Sequence, residues 1–317
     1  MRFYNANSIK NVNIKYPDIY FTPEYGTACE YSDNAIWELC KYKDLIYVYL
    51  KRPIEYEYIT YYDLITPYGY SGYYYENEVT YKEFIPLFRK NAKKRNYITE
   101  VLRQNPYLNI NISDYDIITS KTIYCINLNN LKANDYLKLT NKTNRRMINT
   151  SIKNNLEFKI LEYNDENINS FKEIYDITMN NLNSKKYFFF NENYYNNLNN
   201  CFIACIYFDK ILCASCIIFK YNGLLHYHIG GSLLEYRKYG INNFLHYNVM
   251  KYGINNGHCL YVLGCGLKEN DNLALFKKKL SNKDFKYLIY KNILNQEIYD
   301  KLSVNNENNS YFPCYRN

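Results

Sequence analysis

The sequence predicts an α/β protein built as two tandem domains, each a mixed, largely antiparallel sheet with helices packed on it. Three observations carry the prediction. With 317 residues, 47% of them hydrophobic and only 7 prolines, the chain has material for two cores. Its second half switches between period-two and helical apolar spacing in the order strand, helix, three-strand meander, helix, strand, helix, strand. Within that order one strand ends in Gly230-Gly231, an Arg237-x-x-Gly240 turn opens a helix, and a later strand ends in Gly264-x-Gly266.

In the first half, Leu45 to Leu50 and Glu55 to Thr60 alternate like paired strands around a turn at Arg52-Pro53. The stretch Thr66-Pro67-Tyr68-Gly69-Tyr70-Ser71-Gly72 is too rich in Pro and Gly for regular structure and reads as a loop. A helix is expected from Thr80 to Lys94, with Thr80 as N-cap and Glu83 as its capping-box partner. Strands follow at Tyr97 to Leu102 and Thr122 to Leu128. A polar, basic helix from Asp135 to Asn155 is taken as the junction, dividing the chain into residues 1–150 and 151–299, with the tail 300–317 a candidate completion of the first domain.

The second half opens with a strand at Phe158 to Leu161 and a helix near Ile168 to Leu182. The meander is Cys201 to Phe208, Ile211 to Lys220 and Leu224 to Ile229, its first two strands joined tightly at Asp209-Lys210. In the helix from Arg237 to Asn256, apolar Ile241, Phe244, Leu245, Val249 and Met250 mark a buried face. A strand at Cys259 to Leu263, a helix from Asp271 to Leu280 and a last strand near Tyr287 complete the pattern.

Composition excludes several classes. The opening residues, MRFYNANSIKNVNIKY, lack the pattern of a signal peptide, and the longest apolar stretch, Phe202 to Phe219, is split by Asp209-Lys210. A cytoplasmic protein with no membrane span is expected. Ten cysteines, most in apolar runs, then read as reduced core residues. For Cys213-x-x-Cys216 a metal is not expected, because strand positions three apart face opposite ways and no further ligands complete a set. The net charge of +8 is unevenly spread, with basic clusters at Arg89-Lys90, Lys93 to Arg95, Arg145-Arg146 and Lys277 to Lys279 that suit a phosphate-bearing partner. The 41 tyrosines show no pattern of a stacking platform.

The chemistry concentrates between His226 and Leu280. Arg237-Lys-Tyr-Gly240-Ile241-Asn242 leads into a helix, whose first N–H groups are unpaired and lie at the positive end of its dipole, a ready grip for phosphate. His226 and His228 share one strand face, and His228 is the first candidate for proton transfer. Glu235 is a candidate base acting through water, Arg103 and Arg316 can grip a carboxylate or phosphate, and Asp63, Tyr68 and Tyr70 stand where acceptor recognition is expected. Arg103 serves equally well as a structural ion pair. No Gly-x-Ser-x-Gly elbow or Cys-His pair argues for a covalent nucleophile.

The Arg237-x-x-Gly240 turn resembles the coenzyme A pyrophosphate grip of the GNAT acyltransferases, with Asn242 where that family has a small residue. A narrower resemblance rests on Tyr62 to Gly72, Ile98 to Leu108, Arg145-Arg146, His226-Tyr-His228-Ile-Gly-Gly-Ser232, Leu263-Gly-Cys-Gly266, Phe276-Lys277 and Tyr311-Phe-Pro313-Cys-Tyr315-Arg316. In this order they resemble the FemABX-type peptidoglycan-bridge aminoacyltransferases and their shorter GNAT-like relatives. The resemblance implies two tandem GNAT-like domains, a first domain on the acceptor side without its own donor site, and Lys277 neutralising charge near the reacting ester or on the acceptor. Tyr73 replaces the proline common after Tyr-Ser-Gly, and no coiled-coil arm is present, which favours an acyl-thioester over a tRNA donor. The expected co-substrate is acyl-CoA, or aminoacyl-tRNA as the alternative, with no tightly bound cofactor and no metal. The expected acceptor is an amine-bearing small molecule or a cell-wall precursor. A non-catalytic ligand- or RNA-binding protein is the reading from outside the enzymes.

Overall fold

The computed structural model describes residues 1–113, 115–304 and 311–316. The chain divides into two compact units, one of residues 1–120 and 287–317, the other of residues 121–286. No helix among the described residues is long and apolar enough to cross a membrane.

The first unit begins with β1 (Arg2–Asn5), α1 (Pro23–Asp33), β2 (Ile36–Tyr42), β3 (Leu45–Tyr56), β4 (Ile59–Ile65), β5 (Gly72–Tyr74), α2 (Glu78–Lys94) and β6 (Tyr97–Arg103). β3 runs straight through Arg52-Pro53, where the sequence predicted a turn; the chain reverses at Glu57 and Tyr58, with φ of 49° and 62°. Pro53 is tolerated because β2 stops pairing at Lys51, so the missing N–H falls on a free edge. The expected capping box is also corrected. Asn77 caps α2 by accepting from the Val79 N–H, Thr80 donates to Asp44 at 2.6 Å, and Glu83 pairs with Lys43.

Tyrosines fill this core, and buried carboxylates, Glu38 and Glu100 among them, receive their hydroxyls. Glu38 accepts from Tyr49 and Tyr97, each at 2.5 Å, and is charge-paired with Arg95 and Lys51. Glu100 accepts from Tyr47 at 2.9 Å and Tyr115 at 3.0 Å, and burial raises its pKa. A core this rich in hydroxyls needs such acceptors, since an unpaired buried hydroxyl costs about 1–3 kcal/mol.

β7 (Asp116–Asn127) carries the chain into the second unit from residue 121 onward, followed by α3 (Ala133–Leu139) and α4 (Lys142–Lys153). The single helix expected from Asp135 to Asn155 is thus two, because Asn141 leaves the helical path and caps α4 by accepting from the Asn144 N–H at 2.9 Å. Then come β8 (Glu157–Leu161), α5 (Asp165–Asn181), α6 (Glu192–Asn196), β9 (Cys201–Phe208), β10 (Ile211–Tyr221), β11 (Leu224–Ser232), α7 (Ile241–Asn255), β12 (Leu260–Gly264) and α8 (Asn272–Leu280). Within this unit the strands lie in the order β7-β12-β11-β10-β9-β8, antiparallel except for β11 beside β12. α5 packs on one face of the sheet and α7 on the other. All five apolar positions predicted to face inward from α7, from Ile241 to Met250, are buried. A bulge between Leu212 and Ala214 brings Cys213 into the same apolar cluster as Cys216 instead of the opposite face.

β13 (Lys283–Ile293) and α9 (Gln296–Ser303) follow. From Ile289 to Ile293, β13 pairs antiparallel with β6 in the first unit. The tail then reaches Asp63. That carboxylate, fully buried on β4, accepts from Thr99 at 2.6 Å, Tyr315 at 2.7 Å and the Arg316 Nε at 2.6 Å. Arg316 also donates to the Arg52 and Pro53 carbonyls, on the edge that β2 leaves open. Asp63 was expected in an acceptor loop; it is a strand residue whose oxygens are all taken by the fold. Arg316→Ala strands that carboxylate and should cost about 3 kcal/mol. In urea melts, Asp63→Ala with Arg316→Ala should lose little more than either alone; additive losses would contradict the pairing.

Candidate active site

Two neighbouring parallel strands part company in the second unit. β11 and β12 pair only at Leu224 with Leu260, Leu225 with Tyr261 and His226 with Val262. Beyond that point Tyr227 and Ile229 to Ser232 keep their pairing to β10, while Gly264 keeps its pairing to Tyr124 of β7. Bulges on both outer ladders, at Ile217/Ile218 and at Val262/Gly264, increase local twist and turn the strands away from each other. The parted ends leave a gap flanked by the start of α7 and by α8.

At the α7 start, Gly240 has φ of 80°, and no side chain caps the helix. A Cβ on Gly240 would lie 2.4 Å from the Met147 carbonyl of α4, so close helix packing requires the glycine. Arg237 stands on a 3-10 turn, Leu234–Tyr239, and its Nε donates to the Ser232 hydroxyl at 3.3 Å. The Asn242 amide donates to that same oxygen at 3.1 Å. Ile241 is buried in the core and contributes only its main chain to the helix start. Glu235 is exposed on the 3-10 turn.

Lys277 is buried on α8, and its ammonium donates to the Cys265 carbonyl at 2.9 Å. The loop that presents this carbonyl is tight. Gly264 has φ of 86°, and a Cβ on Gly266 would meet Asp271 Oδ1 at 2.3 Å. Asp271 in turn caps α8 by accepting from the Ala274 N–H at 2.7 Å. Burial pushes the Lys277 amine down to about 8, against an opposing pull from Cys265 and Asp271. Its Nζ lies 5.6 Å from the Tyr227 ring centroid, and that ring is 5.0 Å from His246, whose Nδ1 is 2.8 Å from the Tyr261 hydroxyl. Burial, then the Lys277 charge, push His246 down to about 3.

The histidines of β11 lie elsewhere. Strand alternation places His226 and His228 on the face opposite Tyr227, and the His228 Nε2 sits 2.6 Å from the Tyr194 hydroxyl. Burial, then His226, push His228 down to about 3, so at neutral pH it is uncharged. In the first unit, Arg103 closes the loop start by donating to the Thr66 carbonyl at 3.1 Å. The Tyr68 carbonyl accepts from Tyr25 at 2.6 Å, and the Tyr70 ring packs edge-on against Tyr20, Tyr107 and Tyr287. Sequence reasoning missed Tyr227, His246, Tyr261 and Ser232. The signal for Tyr227 was available, since the alternation that paired the two histidines puts it on the α7 face.

Residues 157–277 match the family model for the acetyltransferase (GNAT) domain. The crystal structure of FemX superposes with a TM-score of 0.69 at 13% identity, over 95% of this chain and 99% of that one. L-PGS from Bacillus licheniformis gives 0.58 at 14%, over 83% and 86%. No curated protein matches the chain. The chain therefore has a FemABX-like fold of the GNAT type, as the motifs implied.

Lys277 fixes a pH dependence. Its unfolded value is near 10.5 and its folded value about 8, so between them the unfolded chain holds the extra proton. Raising the pH through this window should therefore stabilise the wild type relative to Lys277→Met, by up to about 3 kcal/mol. Urea melts from pH 7 to 10 read the difference; parallel curves would contradict the burial of a charged amine.

Proposed function

We propose that the protein is a cytoplasmic N-acyltransferase that joins an activated acyl group to an amine by direct attack, with acyl-CoA as donor. The single observation behind this reading is the gap between β11 and β12, with an uncapped helix start on one flank and a buried amine on the other. The match of residues 157–277 to the GNAT domain supports the same donor.

In the proposed reaction the amine nitrogen attacks the thioester carbonyl, forming a C–N bond. The tetrahedral intermediate then breaks its C–S bond and releases the thiol. Main-chain N–H groups of α7, with Arg237 and Asn242, hold the pyrophosphate of the donor. The Asn242 side chain is already engaged at Ser232, which supports its role as a second polar contact beside Arg237. Lys277, as an ammonium in a low-dielectric pocket, stabilises the oxyanion and returns a proton to the leaving thiolate. His228 has no part in this scheme, because it is neutral and faces Tyr194. Glu235, exposed near the parted strands, is the candidate base that takes the amine proton through water. In the first unit, Arg103 holds the loop that carries Tyr68 and Tyr70.

Lys277→Ala should lower kcat with an accepted thioester and amine by about 10²–10³ while the protein remains folded. For the wild type, activity should fall as pH rises through about 8, where Lys277 loses its proton. Arg237→Ala should raise KM for the donor with little change in kcat. Acyl-CoAs and charged tRNA are assayed side by side against small amines and peptidoglycan precursors. Turnover from charged tRNA alone would replace the thioester donor, and binding without turnover would favour a non-catalytic protein.

A further inference from the structure

One face of α4 carries charge that the proposed reaction does not use. Lys142, Arg145, Arg146, Asn149, Ile152 and Lys153 recur at three- and four-residue spacing and form a single stripe, about 16 Å long at 1.5 Å per residue. These residues line a shallow depression of about 690 Å³, whose remaining lining residue is Thr150. The opposite face of the helix, Asn144, Ile148 and Ser151, is buried in the unit. α4 contains no carboxylate, and among the described residues none of its four cations is in an ion pair. All four are exposed.

Charge alone would describe an ordinary solvated helix face. Aliphatic side chains standing among the cations change that. Ile152 is 50% exposed beside Lys153 at one end of the stripe, and Leu139, at the end of α3 near the other end, is 76% exposed. Leu139 immediately precedes Thr140, whose carbonyl the Arg145 guanidinium reaches at 3.5 Å, so this leucine stands at the cationic end of the face. Single-stranded nucleic acid is gripped through aromatic stacking, and no aromatic residue lines the depression. Long cationic side chains around isolated aliphatic ones suit the boundary between lipid headgroups and acyl chains, where the charges meet phosphate and the apolar tips sink below it.

We propose that this face of α4 docks the protein onto an anionic lipid bilayer. The proposal does not depend on the acyl-transfer reading. Each cation near an anionic surface contributes about a fivefold gain in partition, and the aliphatic residues add to it.

The full chain is sedimented with vesicles of phosphatidylcholine, and with vesicles containing about 30% phosphatidylglycerol to give a negative surface. Binding is expected only to the second, and should be lost when salt shortens the Debye length to about 3 Å. Arg145→Gln with Arg146→Gln should weaken partition about 25-fold, whereas Lys210→Gln, on the turn between β9 and β10, should leave it unchanged. Ile152→Asp should weaken it at constant salt, and thermal melts check that each variant is folded. Equal partition onto neutral vesicles, or undiminished partition of the double variant, overturns the proposal. So does a protein that ignores anionic vesicles but retains RNA through the same two arginines.

Discussion

The parting of β11 from β12 is the constraint on which the second unit depends. Inside a sheet every main-chain N–H and C=O is expected to find a partner, and an unpaired stretch between two strands is tolerated only where something else uses it. Here the divergence is built in by bulges on both outer ladders, so it does not require a ligand to open it. Both flanking helices inherit their positions from the parted ends. Six residues of β11, Tyr227 to Ser232, run on beyond its last pair with β12, and the following 3-10 turn delivers the chain to Gly240. On the other side, the tight turn after Gly264 sets the distance at which Lys277 can reach back to the Cys265 carbonyl.

Burial of an amine is the second organising fact. Lys277 is held by one carbonyl and an aromatic face, with no carboxylate among the described residues in an ion pair with it, and the neighbouring His246 is held neutral. A second positive charge in that pocket would be doubly disfavoured, by desolvation and by repulsion. The first unit treats its buried charges differently. Glu38 is surrounded by two hydroxyls, an arginine and a lysine, so it stays satisfied as part of a network. One arrangement leaves a titratable group with unused capacity, and the other uses all of it.

Much of the fold was legible because it is locally encoded. The α7 face from Ile241 to Met250 and the β9-β10-β11 meander are set by apolar spacing, which a sequence displays directly. Local punctuation misled where tertiary context decided its meaning. Pro53 reads as a turn, yet it lies within β3 because β2 is too short to need its N–H. Asn141 sits in a helix-like stretch and interrupts it by capping α4. Two of the three partners of Asp63 are 252 and 253 residues away in the chain, so no window of sequence could show that its carboxylate was already taken. Lys277 was singled out by motif, but its partners are a main-chain carbonyl and rings from separate strands and helices, invisible to any pattern of residue types.

Gly240 has a mechanical consequence. With the Met147 carbonyl filling the space a side chain would occupy, and the Ser151 hydroxyl donating to the Tyr239 carbonyl one residue earlier at 2.6 Å, α4 and the start of α7 form a joint without play. Close-packed contacts transmit displacement instead of absorbing it. Whatever presses on the outer face of α4 therefore reaches the turn between Arg237 and Gly240 directly, and the stiffness of that turn is a property of two helices rather than of one loop.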